Sequence, residues 1–220
     1  MRSMYGIVGV VLGSVLLCVG VAQADITNGL VQHFELDETN GTAVADSAGG
    51  NDGTVGGSGY QWTWGYISGS LDFDGNDWVT ASADAWRNSG PRTLSAWFRL
   101  EGGSGERYIL SYRDGDDKIY VYVDTNQKLH LRVKEAPSTE FAVTTGFTVT
   151  YDVWHHVIMT FGGGTTPAYY YDGKKISGEP TETPDPGWSG VATMPLGAYR
   201  QDASSPAINN FDGLIDDFRV

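Results

Sequence analysis

Oxygen donors are concentrated in one short stretch of this chain, Val44-Ala45-Asp46-Ser47-Ala48-Gly49-Gly50-Asn51-Asp52-Gly53. Asp46, Asn51 and Asp52 bring carboxylate and amide oxygens, and the glycines let backbone carbonyls turn inward. Ca²⁺ takes about six to eight such oxygens from a loop that can bend around it. Near the other end stand Asp216 and Asp217. Neighbours on a strand face opposite sides, so only one of them can join a given site. A plainer chemistry competes with calcium: Asp46 and Asn51 cap turns, and Asp216 pairs with Arg219 or a lysine. Asp74, Asn76 and Asp77 form a second oxygen-rich loop.

Aromatic residues are the next candidates. Exposed indole faces stack on the apolar faces of sugar rings while nearby Asp, Asn and Arg bind hydroxyls. Trp62, Trp64, Trp86 and Trp188 fall in expected loops, where binding residues concentrate. Trp62, Trp64 and Trp188 are the expected ligand-binding set, with packing as the competing role. Trp97 and Trp154 fall in expected core strands. Glu35, Asp37 and Glu38 raise glycoside hydrolysis, which in a retaining enzyme needs two carboxylates about 5–5.5 Å apart. Glu35 and Asp37 share a strand face and Glu38 does not, so the spacing for a full acid set is not met. His155 and His156 face opposite sides of a strand and lack zinc-ligand spacing. No nucleophile-elbow motif supports a Ser-His-Asp triad. Gly162-Gly163-Gly164 lacks the Lys-Ser/Thr and the helix of a phosphate loop. No catalytic residue is expected.

These groups must be positioned by strands. Trp154 to Phe161 and Tyr169 to Tyr171 are rich in β-formers, with Gly162 to Pro167 as the connection and Asp172-Gly173 starting the next turn. Further strands are expected at Leu30–Leu36, Thr93–Leu100, Arg107–Arg113, Lys118–Asp124, Gln127–Val133 and Phe141–Thr150. Thirty glycines punctuate short strand-like runs, the pattern of a sandwich or jelly roll. The expected core holds Phe34, Leu71, Phe73, Leu94, Trp97, Val157, Met159, Leu214 and Ile215. The segment from Ser177 to Gly190 reads as a proline-rich loop around Trp188.

Residues 1–24 read as an export signal. Arg2 supplies a basic start, Ile7 to Val21 is apolar, and Ala22-Gln23-Ala24 is a small-x-small cleavage site. The run is short for a membrane span of about 20 residues. Cys18, the one cysteine, would go with the signal, and Leu17 stands where a lipoprotein needs a small residue. The net charge is −13, with 14 Lys+Arg against 27 acids. Removing Arg2 leaves 13 against 27, or −14. Such a field disfavours nucleic acid, anionic membranes and strongly sulfated glycans as partners, but not neutral sugars or divalent cations.

Five stretches in order resemble the LamG-like jelly-roll family (laminin G type 3) of the concanavalin A-like lectin/glucanase superfamily. They are the aromatic opening strand with Asp37-Glu38 and the Asp46–Gly53 loop; Gly69-Ser70-Leu71-Asp72-Phe73-Asp74-Gly75; Thr93-Leu94-Ser95-Ala96-Trp97; Trp154-His155-His156-Val157 with Tyr171-Asp172-Gly173-Lys174; and Phe211-Asp212-Gly213-Leu214-Ile215-Asp216-Asp217-Phe218-Arg219-Val220. The resemblance implies an all-β sandwich of two antiparallel sheets over residues 25–220, with first and last strands adjacent. It also implies a structural Ca²⁺ near that seam, for which Asp46, Asn51 and Asp216 are the expected ligands. The expected role is a secreted, non-catalytic module that binds glycan. An extracellular protein ligand is the alternative, and a glycoside hydrolase of the same superfamily a third reading.

Overall fold

The computed structural model describes residues 28–83, 90–136, 139–176, 183–186, 193–201 and 205–220. The expected signal, Trp86 and Trp188 lie outside them. Among the described residues there is no helix, and the strands form two antiparallel sheets. Numbered in chain order, the first sheet holds β1 (His33–Phe34), β4 (Gln61–Trp64), β5 (Gly69–Asp74), β7 (Arg92–Leu100), β12 (Trp154–Gly162), β13 (Thr165–Tyr171), β14 (Lys174–Lys175) and β16 (Asp212–Arg219). The second holds β2 (Ala43–Val44), β3 (Gly53–Gly56), β6 (Trp78–Ser82), β8 (Arg107–Asp114), β9 (Asp117–Val123), β10 (Lys128–Glu135), β11 (Thr139–Thr148) and β15 (Thr193–Leu196). Their spatial orders are β14-β13-β12-β7-β16-β5-β4, with β1 beside β16, and β11-β10-β9-β8-β15-β6-β3-β2.

Period-two alternation builds the core between them. Leu94, Ala96, Phe98 and Leu100 of β7 face Val157, Met159 and Phe161 of β12 inward, and Ile119, Val121 and Val123 answer from β9. Phe34, Leu71, Phe73 and Ile215 join this cluster as expected. Trp97 does not. It lies half-buried on the outer face of the first sheet, because its neighbours Ala96 and Phe98 take the inward positions. Leu214 is buried on that same outer face, opposite Arg99.

The first and last strands meet. His33 pairs with Arg219 and Phe34 with Phe218, while Val31 N–H and Val220 N–H complete the seam through Val220 C=O and Gln32 C=O, each at 2.9 Å. Gly213, with φ 142°, is required at the start of β16, since a Cβ there would stand 2.1 Å from Arg99 C=O. The β12–β13 hairpin is tighter than its sequence suggests. Thr165 already pairs with Gly162, so only Gly163 and Gly164 turn, at φ 62° and 71°. Positive φ at both central residues matches a two-residue hairpin turn to the twist of its strands. Past β13, the Asp172 carboxylate accepts the His156 amide at 2.8 Å and contacts His155 Nδ1 at 2.9 Å. The Trp-His-His-Val and Tyr-Tyr-Asp-Gly-Lys pattern is thus an architectural clamp, with the two histidines on opposite faces.

Candidate functional site

Trp62 and Trp64 sit two apart on β4, an edge strand, and share one side of it. Trp62 is locked: it packs on the core, and its indole N–H donates to Gly41 C=O at 2.9 Å. Trp64 is 84% exposed. Gly69 stands opposite Trp64 in the strand pair. A Cβ on Gly69 would come within 2.9 Å of Asp37, so glycine there lets the 37–39 segment close against the strand. The result is a cleft of about 330 Å³ lined by Asp37, Glu38, Thr39, Trp62, Trp64 and Ser68. A second hollow of about 230 Å³, shared by Asp37 and Glu38, extends it toward Glu35 and Ser47.

The acids of the cleft are fixed by backbone. Asp37 accepts the Gly69 amide at 2.6 Å and Glu38 accepts the Ala45 amide at 2.7 Å. Leu36 between Glu35 and Asp37 has φ 59°. That left-handed residue breaks the strand, so Glu35 and Asp37 do not share a strand face. One indole held still, one open to water, and the exposed Asp37 carboxylate make a surface that can stack on a ring and accept from hydroxyls, while the second oxygen of Glu38 is buried.

The apolar exposure continues past the cleft through Tyr66 (54%) and Ile67 (47%). Tyr66 lies over Trp97 at 3.7 Å between ring centroids, and Trp97 lies over His156 at 4.5 Å. Trp154 meets Tyr66 edge-on. Beneath this stack the Asp216 carboxylate accepts the Ile67 amide at 2.8 Å. Burial pushes its pKa up to about 6 against the pull of the Ile67 and Tyr66 amides, with Asp217 and Asp37 adding repulsion.

The expected metal ligands fall in two neighbourhoods. Asp46 Oδ1 accepts the His33 amide at 2.8 Å and the Ala48 amide at 3.1 Å, and Oδ2 accepts the Asn51 amide at 3.0 Å. Burial would raise this carboxyl, but backbone amides hold it below the usual range. Asn51 is in the same loop, its carbonyl 3.4 Å from Gln32 Nε2. Asp216 instead accepts the Ile67 amide. Among the described residues no group of three or more His, Cys, Asp or Glu is placed to hold a metal ion.

A Ser-His-Asp contact does occur at the seam. Ser47 Oγ is 3.0 Å from His33 Nδ1, and His33 Nε2 is 2.8 Å from Asp217 Oδ1. The same Asp217 oxygen accepts from Arg219 at 2.8 Å, and the Ser47 amide is spent on His33 C=O. A carboxylate already neutralised by guanidinium gives little help to a histidine base, and the nucleophile's own amide is not available to an oxyanion. The cluster is a strut between first and last strands.

The sequence missed Tyr66 and Ile67 as exposed groups. Their one signal was position, just past the Gly65 that follows the expected Trp62 and Trp64.

A family model described as the Concanavalin A-like lectin/glucanases superfamily matches residues 73–220. Among solved structures, domain 4 of AbnA, a GH43 extracellular arabinanase from Geobacillus stearothermophilus, in complex with arabinotriose, is 20% identical with TM-score 0.68. That match covers 86% of this chain and 90% of the other. The binding domain of Paraclostridial Mosquitocidal Protein 1 is 16% identical with TM-score 0.68, covering 88% and 48%. The binding domain of botulinum neurotoxin DC in complex with rat synaptotagmin II is 16% identical with TM-score 0.64, also covering 88% and 48%. The chain thus spans about half the length of those toxin domains. No curated protein matches it. Among the described residues no helix is long and apolar enough to cross a membrane.

Proposed function

The chain belongs to the Concanavalin A-like lectin/glucanases superfamily, and from that premise we propose that it is an exported, non-catalytic carbohydrate-binding module whose site is the Trp62–Trp64 cleft. The observation that carries this reading is Trp64, an indole 84% exposed beside a locked Trp62 and two backbone-held carboxylates. Leaving a tryptophan in water forgoes several kcal/mol of burial, a cost that a stacked sugar ring would recover. Neutral glycan suits the acidic rim of the cleft, and arabinotriose, present on the arabinanase domain of similar fold, is the first probe. Export rests on the leader-like start of the sequence. Calcium is not needed for the site, because Asp46 already orders the 46–52 loop through amides.

Isothermal titration with arabinotriose and a panel of neutral oligosaccharides tests the proposal. Binding of one of them that Trp64→Ala abolishes, with an unchanged melting temperature, supports it. Binding untouched by that substitution, or none across the panel, sinks it. Exposed Ile67 favours a second reading: an aliphatic side chain suits a protein surface better than a pyranose. Capture of a protein ligand that Ile67→Ser releases would establish that reading instead.

A further inference from the structure

The outer face of the second sheet carries a different surface. Tyr108, Tyr122 and His130 stand in register across β8, β9 and β10. Their rings stack, with centroids 4.8 Å apart for Tyr108 and Tyr122 and 4.6 Å for Tyr122 and His130. Tyr120 and Tyr199 close against the ladder, 5.6 Å apart. Burial pushes the hydroxyls of Tyr108, Tyr120 and Tyr122 up from their usual pKa, so they remain donors at neutral pH.

The cations are as ordered as the rings. Of the 14 basic residues in the chain, Arg113, Lys118, Lys128, Arg132, Lys134 and Arg200 stand on this face. Arg113, Lys118 and Lys134 are directly opposite one another across three strands. Like charges directly opposite in a sheet destabilise it. Arg113 donates to Tyr199 Oη at 3.2 Å, and Arg132 lies 5.8 Å from the Tyr120 ring centroid. Acids flank the row, and Glu140 stands opposite Lys134 in the β10–β11 pair. Asp116 reaches Lys118 only at 4.0 Å and is largely exposed, while Asp124 is spent on His130 and on the Asn126 and Lys128 amides. Glu106 is held by Tyr108 at the far end of the ladder.

We infer that this face is a second binding site, for a carboxylate-bearing polysaccharide such as a polyuronate. The half-buried rings of Tyr122 and His130 offer edges to a chain of sugar rings, and a cross-strand row of cations fits one carboxylate per ring. Single-stranded nucleic acid offers the same two chemistries at a similar charge spacing; the superfamily of the chain favours the polysaccharide, and the titration below separates the two.

The probe is an α-1,4-linked oligogalacturonate, against its carboxyl-reduced counterpart and an oligothymidylate, titrated into the full chain at low and high salt. Expected is binding of the oligogalacturonate alone, weakened severalfold or more between 50 and about 300 mM salt. Lys118→Gln/Lys134→Gln should weaken it at least about tenfold with the melting temperature maintained, and Arg132→Gln serves as an independent second variant. Trp64→Ala must leave it intact, which separates this site from the cleft whether or not the cleft binds neutral sugar. Equal binding of the reduced oligosaccharide, preference for oligothymidylate, indifference to both cationic variants, or loss with Trp64→Ala would each overturn the inference.

Discussion

The Trp62–Trp64 cleft and the tyrosine face of the second sheet both place aromatics on the outside of a sheet, yet they are built in opposite ways: Trp64 is bare, whereas Tyr108 and Tyr120 are buried by their neighbours. The cleft sets one rigid and one open indole on an edge strand beside carboxylates whose positions come from backbone amides. The tyrosine face packs its rings against one another in cross-strand register and surrounds them with cations. An edge strand can leave a whole ring face bare, whereas a central strand fills its neighbours' space and leaves ring edges. The difference in charge follows separately: six of the chain's 14 basic residues share one sheet face. One fold thereby offers two surfaces that would sort glycans by charge.

Trp64→Ala should produce the largest effect on this contrast. With the side chain 84% exposed, thermal unfolding should move by no more than about 1 °C, since surface substitutions away from packing cost little. Neutral-sugar affinity should fall about tenfold or more, as for a central aromatic anchor. Matched titrations of the cleft and face ligands check both halves, and a parallel loss of the two would merge sites that the geometry keeps apart.

Asp216→Asn comes next and tests the ground under the cleft's apolar lip. A carboxyl whose folded pKa sits at about 6, above the ordinary value near 3.9, binds more protons folded than unfolded between those limits. Stability therefore falls as pH rises through about 4 to 6, and the penalty is complete above 6. Asp77, also buried, is raised to about 6 chiefly by desolvation and adds to the same trend. Asparagine keeps an oxygen for the Ile67 amide and removes the charge. The variant should gain about 1–3 kcal/mol at pH 7.5 and little at pH 4.5, measured by urea unfolding at both. Below pH 4 the trend reverses in both proteins as Asp46, held low by its amides, takes a proton and loses those bonds.

Lys118→Gln should be smaller and of informative sign. Relieving the Arg113–Lys118–Lys134 row should stabilise the sheet by about 0.2–1 kcal/mol while weakening oligogalacturonate binding. A substitution that gains stability and loses affinity marks a residue kept for binding. If Lys118→Gln destabilises instead, the row is satisfied within the protein and the two faces do not differ in purpose.

Which of this could be read from residues alone follows from the range of the interactions. The β12–β13 hairpin and the closing strand are local patterns of β-branched residues, glycines and aspartates, so they were legible, as was the meeting of β1 with β16 through the family resemblance. Trp62 and Trp64 were legible as loop aromatics, though they lie on an edge strand. Trp97 was misplaced in the core because alternation gives two faces and does not say which one turns inward. The cover over Asp216, from Gly65 to Ser68, was not legible because it folds back from far earlier in the chain. The cation row was invisible because its members come from three strands, and a net charge of −13 averages over them.

Chelation should have the smallest effect, and its absence is what the loop geometry requires. Asp46 already spends three of its roughly four acceptor positions on the His33, Ala48 and Asn51 amides, each within 3.1 Å of a carboxylate oxygen, which leaves about one for an ion. EDTA should therefore leave the melting temperature within about 1 °C and both sugar titrations unchanged. Conversely, a melting temperature that drops on chelation and recovers with Ca²⁺, but not Mg²⁺, would show that the 46–52 loop rearranges around an ion. It would then tie the acidic side of the cleft, through Glu38 and its Ala45 partner, to a metal that the tyrosine face does without.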